Sequence, residues 1–530
     1  MMEVMPAKSS AIISCEKVGN ALYLQQAQGW IRVIPQKEVI VRVSFCDTRE
    51  FSTHQGDIYK DLSEGFEWTY ETGNDEIKIF TKKIKVIISM ETGAISYAHD
   101  DGRPYLSERS KDSKQLEPFD VYRTKIDGEA RIEEVVTADG VKKVIHGASQ
   151  EFYKKMFHTK LALNFSEDEA LYGLGQAEDG VLNLRGSIRY LYQANKKIAL
   201  PLLISSRGYG ILLTTQSTAV FEDYGKESFL YTQCDEMLDY FFIGGECMDD
   251  VIKGFRELSG KATMLPKWAF GYIQSFERYE TEEELLKTSE EFREKKVGMD
   301  ALVLDWISWE DNMWGQKTRD VKRFPNPASM MEKLHGMNTH FMLSIWPNMA
   351  RQTPNFKEMS EAGFILPGSD IYNAYDEGAR ELYWKQAFEG WFQYGVDGWW
   401  CDSSEAITPE WNHRKEPMEF QQYYEFITEA GKVLPLEKVN SYGLYHAQGI
   451  YDGWRKVTSD KRVLNLTRCG YPGSQKYGTI LWSGDISASW DTLKKQIAAG
   501  LNFCASGLPY WTLDIGAFFV KKRGYVFLFR

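Results

Sequence analysis

The sequence has no apolar run long enough to span a bilayer. Its 7 Cys and 8 His form no CxxC pair, no HExxH and no other ligand spacing, so a zinc site has no support. The cysteine count is odd and the residues are scattered from Cys15 to Cys504. That argues for buried thiols in a reduced protein and against a disulfide framework. Basic excess is also missing. The net charge is -12, with acids spread along the chain and no acidic tail. This favours solubility and argues against nucleic acid or an anionic membrane as partner. Residues 1–20 lack an apolar segment behind a basic start, which predicts no signal peptide and a cytoplasmic location. There is no internal repeat and no low-complexity stretch.

What is present is an ordinary globular balance, 43% hydrophobic and 26% charged, in a chain of 530 residues that suggests two to four domains. Tryptophan is distributed unevenly. Of 16 Trp, only Trp30 and Trp68 precede residue 268, and the remaining 14 begin at Trp268. Trp packs cores anywhere, but this concentration also fits a cleft that stacks flat apolar sugar faces.

The first half reads as all-β. Residues 30–34, 38–45, 77–80 and 85–90 are rich in β-branched and aromatic side chains. Glu91-Thr92-Gly93 and Asp100-Asp101-Gly102-Arg103-Pro104 are turn clusters. Further strands are expected at 160–165, 188–193, 202–205 and 211–215. Many short strands with turns between them predict a β-sandwich over 1–265. A helix capped by Asp249 and ended by Gly260 closes it.

From Trp268 the pattern changes to strand–helix alternation. Thr281-Glu282-Glu283-Glu284 reads as a capping box. Strands are expected at 268–276, 301–305, 341–346, 463–466, 479–482 and 508–513, with another ending in Trp399-Trp400-Cys401-Asp402. Alternation of this kind predicts a parallel sheet, most simply a (β/α)8 TIM-type barrel over 266–530. The predicted strands finish in Asp305, Trp346, Asp402, Arg468, Asp485 and Asp514. Polar groups at the C-terminal ends of successive barrel strands face one mouth. One such Asp is easily a helix cap; four Asp and an Arg at corresponding places are not explained by capping.

Paired carboxylates with Trp point to glycoside hydrolysis. One carboxylate acts on the anomeric carbon and one acid protonates the leaving oxygen. The acid needs a raised pKa, which a neighbouring anion and an apolar wall supply. Asp485 follows Trp482-Ser483-Gly484, with Trp482 available as a wall, while Asp402 has Ser403 and Ser404 beside it. Pattern alone leaves Asp305 or Asp514 able to take either role. A barrel aldolase would want a Schiff-base Lys at a strand end, and none of the seven has one.

Several ordered motifs between about Leu171 and Phe519 resemble the retaining α-glycosidases of glycoside hydrolase family 31. They are Tyr172-Gly173-Leu174-Gly175-Gln176 with Leu182-Asn183-Leu184-Arg185-Gly186, then Gly271-Tyr272-Ile273-Gln274-Ser275, Leu304-Asp305-Trp306 and Ser344-Ile345-Trp346-Pro347. Trp400-Cys401-Asp402-Ser403-Ser404-Glu405, Leu466-Thr467-Arg468 and Trp482-Ser483-Gly484-Asp485 complete the set. The resemblance implies Asp402 as nucleophile and Asp485 as acid/base. It implies that Asp305 and Arg468 hold sugar hydroxyls and that Trp346 and Trp482 wall the subsite, with Trp306 and Trp400 grouped among the substrate-binding residues. Asp514 matches a pocket Asp, and Glu405 is grouped with the substrate-binding residues as support of the nucleophile loop. The sandwich loop at 176–183 is expected over the barrel mouth. The implied partner is an oligosaccharide or glycoside substrate, with no metal or organic cofactor; a homo-oligomer is left open. Trp306, with Trp309, Trp314 and Arg323-Phe324-Pro325, looks most like the α-xylosidase group, because α-glucosidases of the family usually place a smaller aliphatic residue after that Asp. The ending departs from the family. Only 16 residues follow Asp514 and none of the histidines lies after His446. We therefore expect a C-terminally truncated barrel lacking its last β/α unit.

Overall fold

Alternation of apolar and polar residues lets the strands of the first half bury one face each. The computed structural model describes residues 10–54, 56–137, 140–407 and 417–520. Part of the stretch read for a leader, most of the loop expected at 407–411 and the tail 521–530 lie outside them. One antiparallel sheet of eight strands runs from Ser14–Val18 at one edge to Leu171–Gln176 at the other. A second, of ten strands, includes the long hairpin Lys114–Thr137 and Gly140–Asn164. Ile31, Val43 and Phe242 of the first sheet pack with Ile79, Val86 and Tyr97 of the second in one buried cluster. Tyr97 stacks on Phe242 with ring centroids 3.9 Å apart. This is the expected sandwich. The long hairpin was only partly foreseen, because its frequent charged residues break the apolar alternation.

The helix that follows, Met248–Ser259, corrects one detail. Its N-cap is Cys247, and Asp249 lies in the first turn, where the helix dipole favours an acid. Asp250 accepts a hydrogen bond from Glu246 N at 3.0 Å.

The second half forms a parallel sheet whose strands pair in chain order. Among the described residues they are Ile273–Gln274, Ala301–Leu304, His340–Ile345, Gly398–Cys401, Asn465–Thr467, Thr479–Trp482 and Trp511–Thr512. They are the barrel strands one to seven below, with helices between most of them. The first is shorter than its apolar stretch suggested, since Lys267–Phe270 winds into a 3-10 turn. The seventh starts late, after Pro509, which cannot donate to the ladder. Thr281 caps the first barrel helix as expected, accepting from Glu284 N at 3.2 Å. The return bond of the box falls one residue earlier, on Glu280 N.

The two halves meet at the last barrel helix, Trp490–Ala505. Gly173 N donates to Asn502 Oδ1 at 3.0 Å and Gly175 N to Ser506 Oγ at 2.8 Å. Gln176 donates to Ser483 O at 3.0 Å and accepts from Trp511 Nε1 at 2.7 Å. The sandwich strand that carries the Gly-rich motif is thereby tied to the ends of barrel strands six and seven. No helix among the described residues is long and apolar enough to cross a membrane.

Candidate active site

Register sets the level at which the acids emerge. Ile345 pairs with Cys401, and Cys401 with Thr467. The residues that follow, Trp346, Asp402 and Arg468, therefore leave adjacent strands side by side. In the fourth strand the period of two sends Trp399 outward, where it packs on Trp384 and Phe392 of the barrel helix layer. Trp400 faces the barrel mouth and meets Trp482 with centroids 4.8 Å apart. The strand is held at its other end by Asp397, which accepts from His335 Nε2 at 2.7 Å and Lys461 Nζ at 3.0 Å.

A cavity of about 1730 Å³ occupies the mouth. It is lined by Asp305, Trp306, Trp346, Trp400, Asp402, Arg468, Trp482, Asp485 and Asp514. Glu405 does not line it. Glu405 is buried behind Arg468 and binds it through both oxygens, at 2.6 Å to Nη2 and 3.2 Å to Nε. The other nitrogen edge of Arg468 faces the cavity. Its Nη1 lies 2.9 Å from Asp402 and 3.3 Å from Asp485. Nη2 also donates to Ser403 Oγ at 2.9 Å. One guanidinium thus joins three carboxylates.

The backbone is bent in the same way after two of the acids. Trp306 and Ser403 both adopt left-handed conformations, with φ of 46° and 48°. Each donates its N–H to the preceding carboxylate, Trp306 to Asp305 at 2.9 Å and Ser403 to Asp402 at 2.6 Å. Such residues cost of order 1–3 kcal/mol and cluster at functional sites. Before Asp485 the same role falls to Gly484, with φ of 83°. A Cβ there would lie 2.3 Å from Asn195 Oδ1, so only glycine lets the sandwich loop close on this strand.

Asn195 is the residue that sequence reasoning missed. Its side chain donates to Asp485 Oδ2 at 2.6 Å and accepts from Asp485 N at 2.9 Å. It belongs to the sandwich half, whose Ala177, Glu178, Asp179 and Lys196 also line the cavity. Nothing in the local pattern of Gln193-Ala194-Asn195-Lys196 distinguishes it from a turn asparagine. Ser344, on the third strand, donates to Asp305 and was likewise not singled out.

The electrostatics follow from burial among like charges. Burial pushes the Asp305 carboxyl up to about 7; Asp402 and Asp485 add to the rise, and the bond from Ser344 opposes it. Burial, then Asp485, Asp305 and Asp402, push Asp514 up to about 8, with Arg468 opposing. Asp402 is also raised, chiefly by burial, although Arg468 pulls it down. The guanidinium of Arg468 itself is raised by Asp402 and Glu405 against the effect of burial. The aromatic wall is continuous on one side: Trp314 lies 6.3 Å from Trp306 and 5.6 Å from Trp346, with Trp309 beneath.

Residues 262–528 match the family model described as the glycosyl hydrolases family 31 TIM-barrel domain. The chain belongs to glycoside hydrolase family 31. Among family relatives, an alpha-xylosidase of Saccharolobus solfataricus is 38% identical over 372 residues, covering 68% of this chain and 50% of its own length. An alpha-glucosidase of the same organism is 29% identical over 363 residues, covering 62% and 51%. The crystal structure of a family 31 alpha-xylosidase from Xanthomonas citri superposes with a TM-score of 0.80 at 25% identity, covering 96% of this chain and 70% of that one. The chain spans about half the length of these two curated relatives.

Proposed function

We propose that the chain acts as a retaining, exo-acting α-glycoside hydrolase that releases α-xylose from the non-reducing end of oligosaccharides. The observation that carries this reading is the sharing of one Arg468 nitrogen by Asp402 and Asp485. Oxygens 2.9 and 3.3 Å from a common atom are at most about 6.2 Å apart, below the roughly 6.5–9.5 Å of inverting enzymes. In the proposed mechanism Asp402 attacks the anomeric carbon while Asp485 protonates the leaving oxygen. Asp485 then takes a proton from water, which attacks the same carbon and displaces Asp402. Two inversions retain configuration. Asp305 and Asp514 hydrogen-bond sugar hydroxyls, and Trp346, Trp400 and Trp482 cover the apolar ring faces.

Two things support xylose. One is the alpha-xylosidase relative at 38% identity. The other is Trp306, which lines the cavity directly after Asp305. Its ring fills space that the hydroxymethyl group of glucose would need and xylose does not. Exclusion of this kind is worth about 1–3 kcal/mol. The alpha-glucosidase relative supports the second reading, glucose at the same site. Hydrolysis of p-nitrophenyl α-xyloside and α-glucoside decides between them; a clear preference for the glucoside overturns the xylose assignment. Burst release from an activated glycosyl fluoride, absent in Asp402→Ala, tests the covalent step. A protein that binds the sugar and releases no fluoride at all is a carbohydrate binder and not a hydrolase.

A further inference from the structure

One buried cation beneath the cavity takes no part in this chemistry. Lys317 lies in the long loop after the second strand and is 3% exposed. Its ammonium meets no carboxylate among the described residues. Nζ donates to Gly315 O at 2.9 Å and to Trp346 O at 3.3 Å, and it sits 4.3 Å from the centroid of the Tyr383 ring. Trp346 O also accepts from Tyr383 OH at 2.7 Å. A buried charge without a counter-ion is costly, and an apolar side chain would fill this place more cheaply. What the ammonium adds is a bond to each of two loops.

Those loops are the ones that bring tryptophan to the cavity. The first carries Trp306 and Trp314; the second carries Trp346. They interlock around Lys317. Ala350 N donates to Trp314 O at 2.9 Å, Lys317 N to Asn355 Oδ1 at 2.8 Å, and Asn355 N to Gln316 Oε1 at 3.1 Å. Gly315, with φ of 71°, lets the loops touch: a Cβ there would lie 2.1 Å from Asn348 O. The result is the 5.6 Å approach of the Trp314 and Trp346 rings.

We infer that Lys317 is a positioning residue for sugar selection: its ammonium clamps the Trp314 loop to the Trp346 loop and thereby fixes the width of the pocket beside Asp305. This rests on the glycosidase reading for the identity of the ligand. The charge state of the clamp is poised near neutrality. Burial pushes the Lys317 ammonium down to about 7. The titratable groups packed around it are held outside that window: Tyr372 and Tyr383 are raised well above 10 by burial, and His446 is pushed down to about 3 by burial and by Lys317 itself. On the cavity side Asp305 and Asp514 do titrate there, so wild type must be compared with a variant that keeps both.

The test is binding of D-xylose and D-glucose, followed by tryptophan fluorescence at pH 5.5 and 8.5, in wild type and Lys317→Met. It needs no turnover. Wild type is expected to prefer xylose at least fivefold at pH 5.5, and the preference to fall at least threefold at pH 8.5, where the clamp is uncharged. Lys317→Met is expected to show the weaker preference at both pH values. A wild-type preference that does not change between the two pH values overturns the proposal, as does a variant that keeps the full preference or a wild type that binds neither sugar. Should Lys317→Met fail to fold, Lys317→Arg, which keeps its charge at both pH values and leaves Asp305 and Asp514 in place, is expected to hold the pH 5.5 preference at pH 8.5, and a preference that falls in it as in wild type overturns the proposal. Sugar selection that follows Lys317 in a protein without hydrolysis counts against the glycosidase reading alone; hydrolysis with selection indifferent to Lys317 counts against the clamp alone.

Discussion

Buried charge is arranged differently in the two halves of the molecule. In the sandwich it is matched. Glu108 pairs with Lys114, and its oxygens also accept from Ile95 N, Ser113 and Tyr240. Arg42 faces Asp239, which also accepts from Ser44 and Thr214. In the barrel mouth Asp402, Asp485 and Glu405 share Arg468. Asp305 and Asp514 have no ion pair at all among the described residues. The matched set is what a fold needs to bury charge without loss. The unmatched set is unfavourable for folding and useful for chemistry, because it keeps protons on some carboxylates near neutrality. Two buried acids of the sandwich lack an ion pair among the described residues: Glu169, which accepts from Ser166 N, Ser205 and Tyr209, and Asp235, pushed up to about 8 by burial against its bonds to Thr232 and Thr215. Both lie away from the cavity lining.

The contrast is broken most directly at Asp402. Asp402→Asn is expected to lower turnover by about 10⁴-fold or more while leaving the melting temperature the same or higher, since it removes one of several like charges. A fall in melting temperature would place Asp402 with the structural charges. Glu108→Gln should do the reverse. It leaves Lys114 buried without a counter-ion, which costs about 3–5 kcal/mol, and urea unfolding measures it. Activity per folded molecule should not change.

Most of the strand pattern, and the acids of the mouth, could be read from the sequence because each is a local signal. Asp402 stands at the end of an apolar strand, and so do Asp305 and Asp485. Residues that act across the chain carried no such signal. Asn195 reaches Asp485 over a separation of 290 positions and looks like any turn residue. Lys317, in Gly315-Gln316-Lys317-Thr318, reads as a solvated loop charge, and only the packing of two loops buries it. Glu405 is expected from the sequence as support of the nucleophile loop and among the substrate-binding residues, whereas it lies off the cavity, and its full burial behind Arg468 depends on the fifth strand. Asp249 shows the opposite error: a good capping residue passed over because the helix begins two residues earlier.

Asn195 gives a smaller test of the same contrast, since it is the sandwich half's contribution to the unmatched site. Asn195→Ala removes both hydrogen bonds that orient Asp485, each worth about 0.5–1.5 kcal/mol. We expect kcat to fall about 10–100-fold with little change in KM. Asn195→Asp should keep the shape and set a second carboxylate against Asp485, lowering kcat at least as far as Asn195→Ala. If both variants change KM alone, Asn195 touches sugar and does not position the acid.

A last effect concerns the slope of stability with pH. The Asp514 carboxyl is raised to about 8 by burial and its acidic neighbours, against roughly 3.9 in an unfolded chain. Below both values its contribution is fully present. Between them the unfolded chain releases a proton that the folded chain keeps, so stability falls as pH rises, by no more than about 1.4 kcal/mol per unit. Above about 8 the loss is complete. Asp514→Asn cannot ionise and should lack this component, so its melting temperature should gain on wild type between pH 5 and 8. Asp235→Asn should show a similar gain, because Asp235 is also raised. Sugar separates them. In the proposed function sugar hydroxyls would donate to the Asp514 carboxylate and favour its charged form, so saturating D-xylose should reduce the wild-type slope and narrow the gain of Asp514→Asn. Asp235 has no access to the sugar, and the gain of Asp235→Asn should be the same with and without it. Equal responses to xylose in both variants would show that the cavity does not discriminate its own acids from those of the sandwich, and the contrast between the two halves would fail.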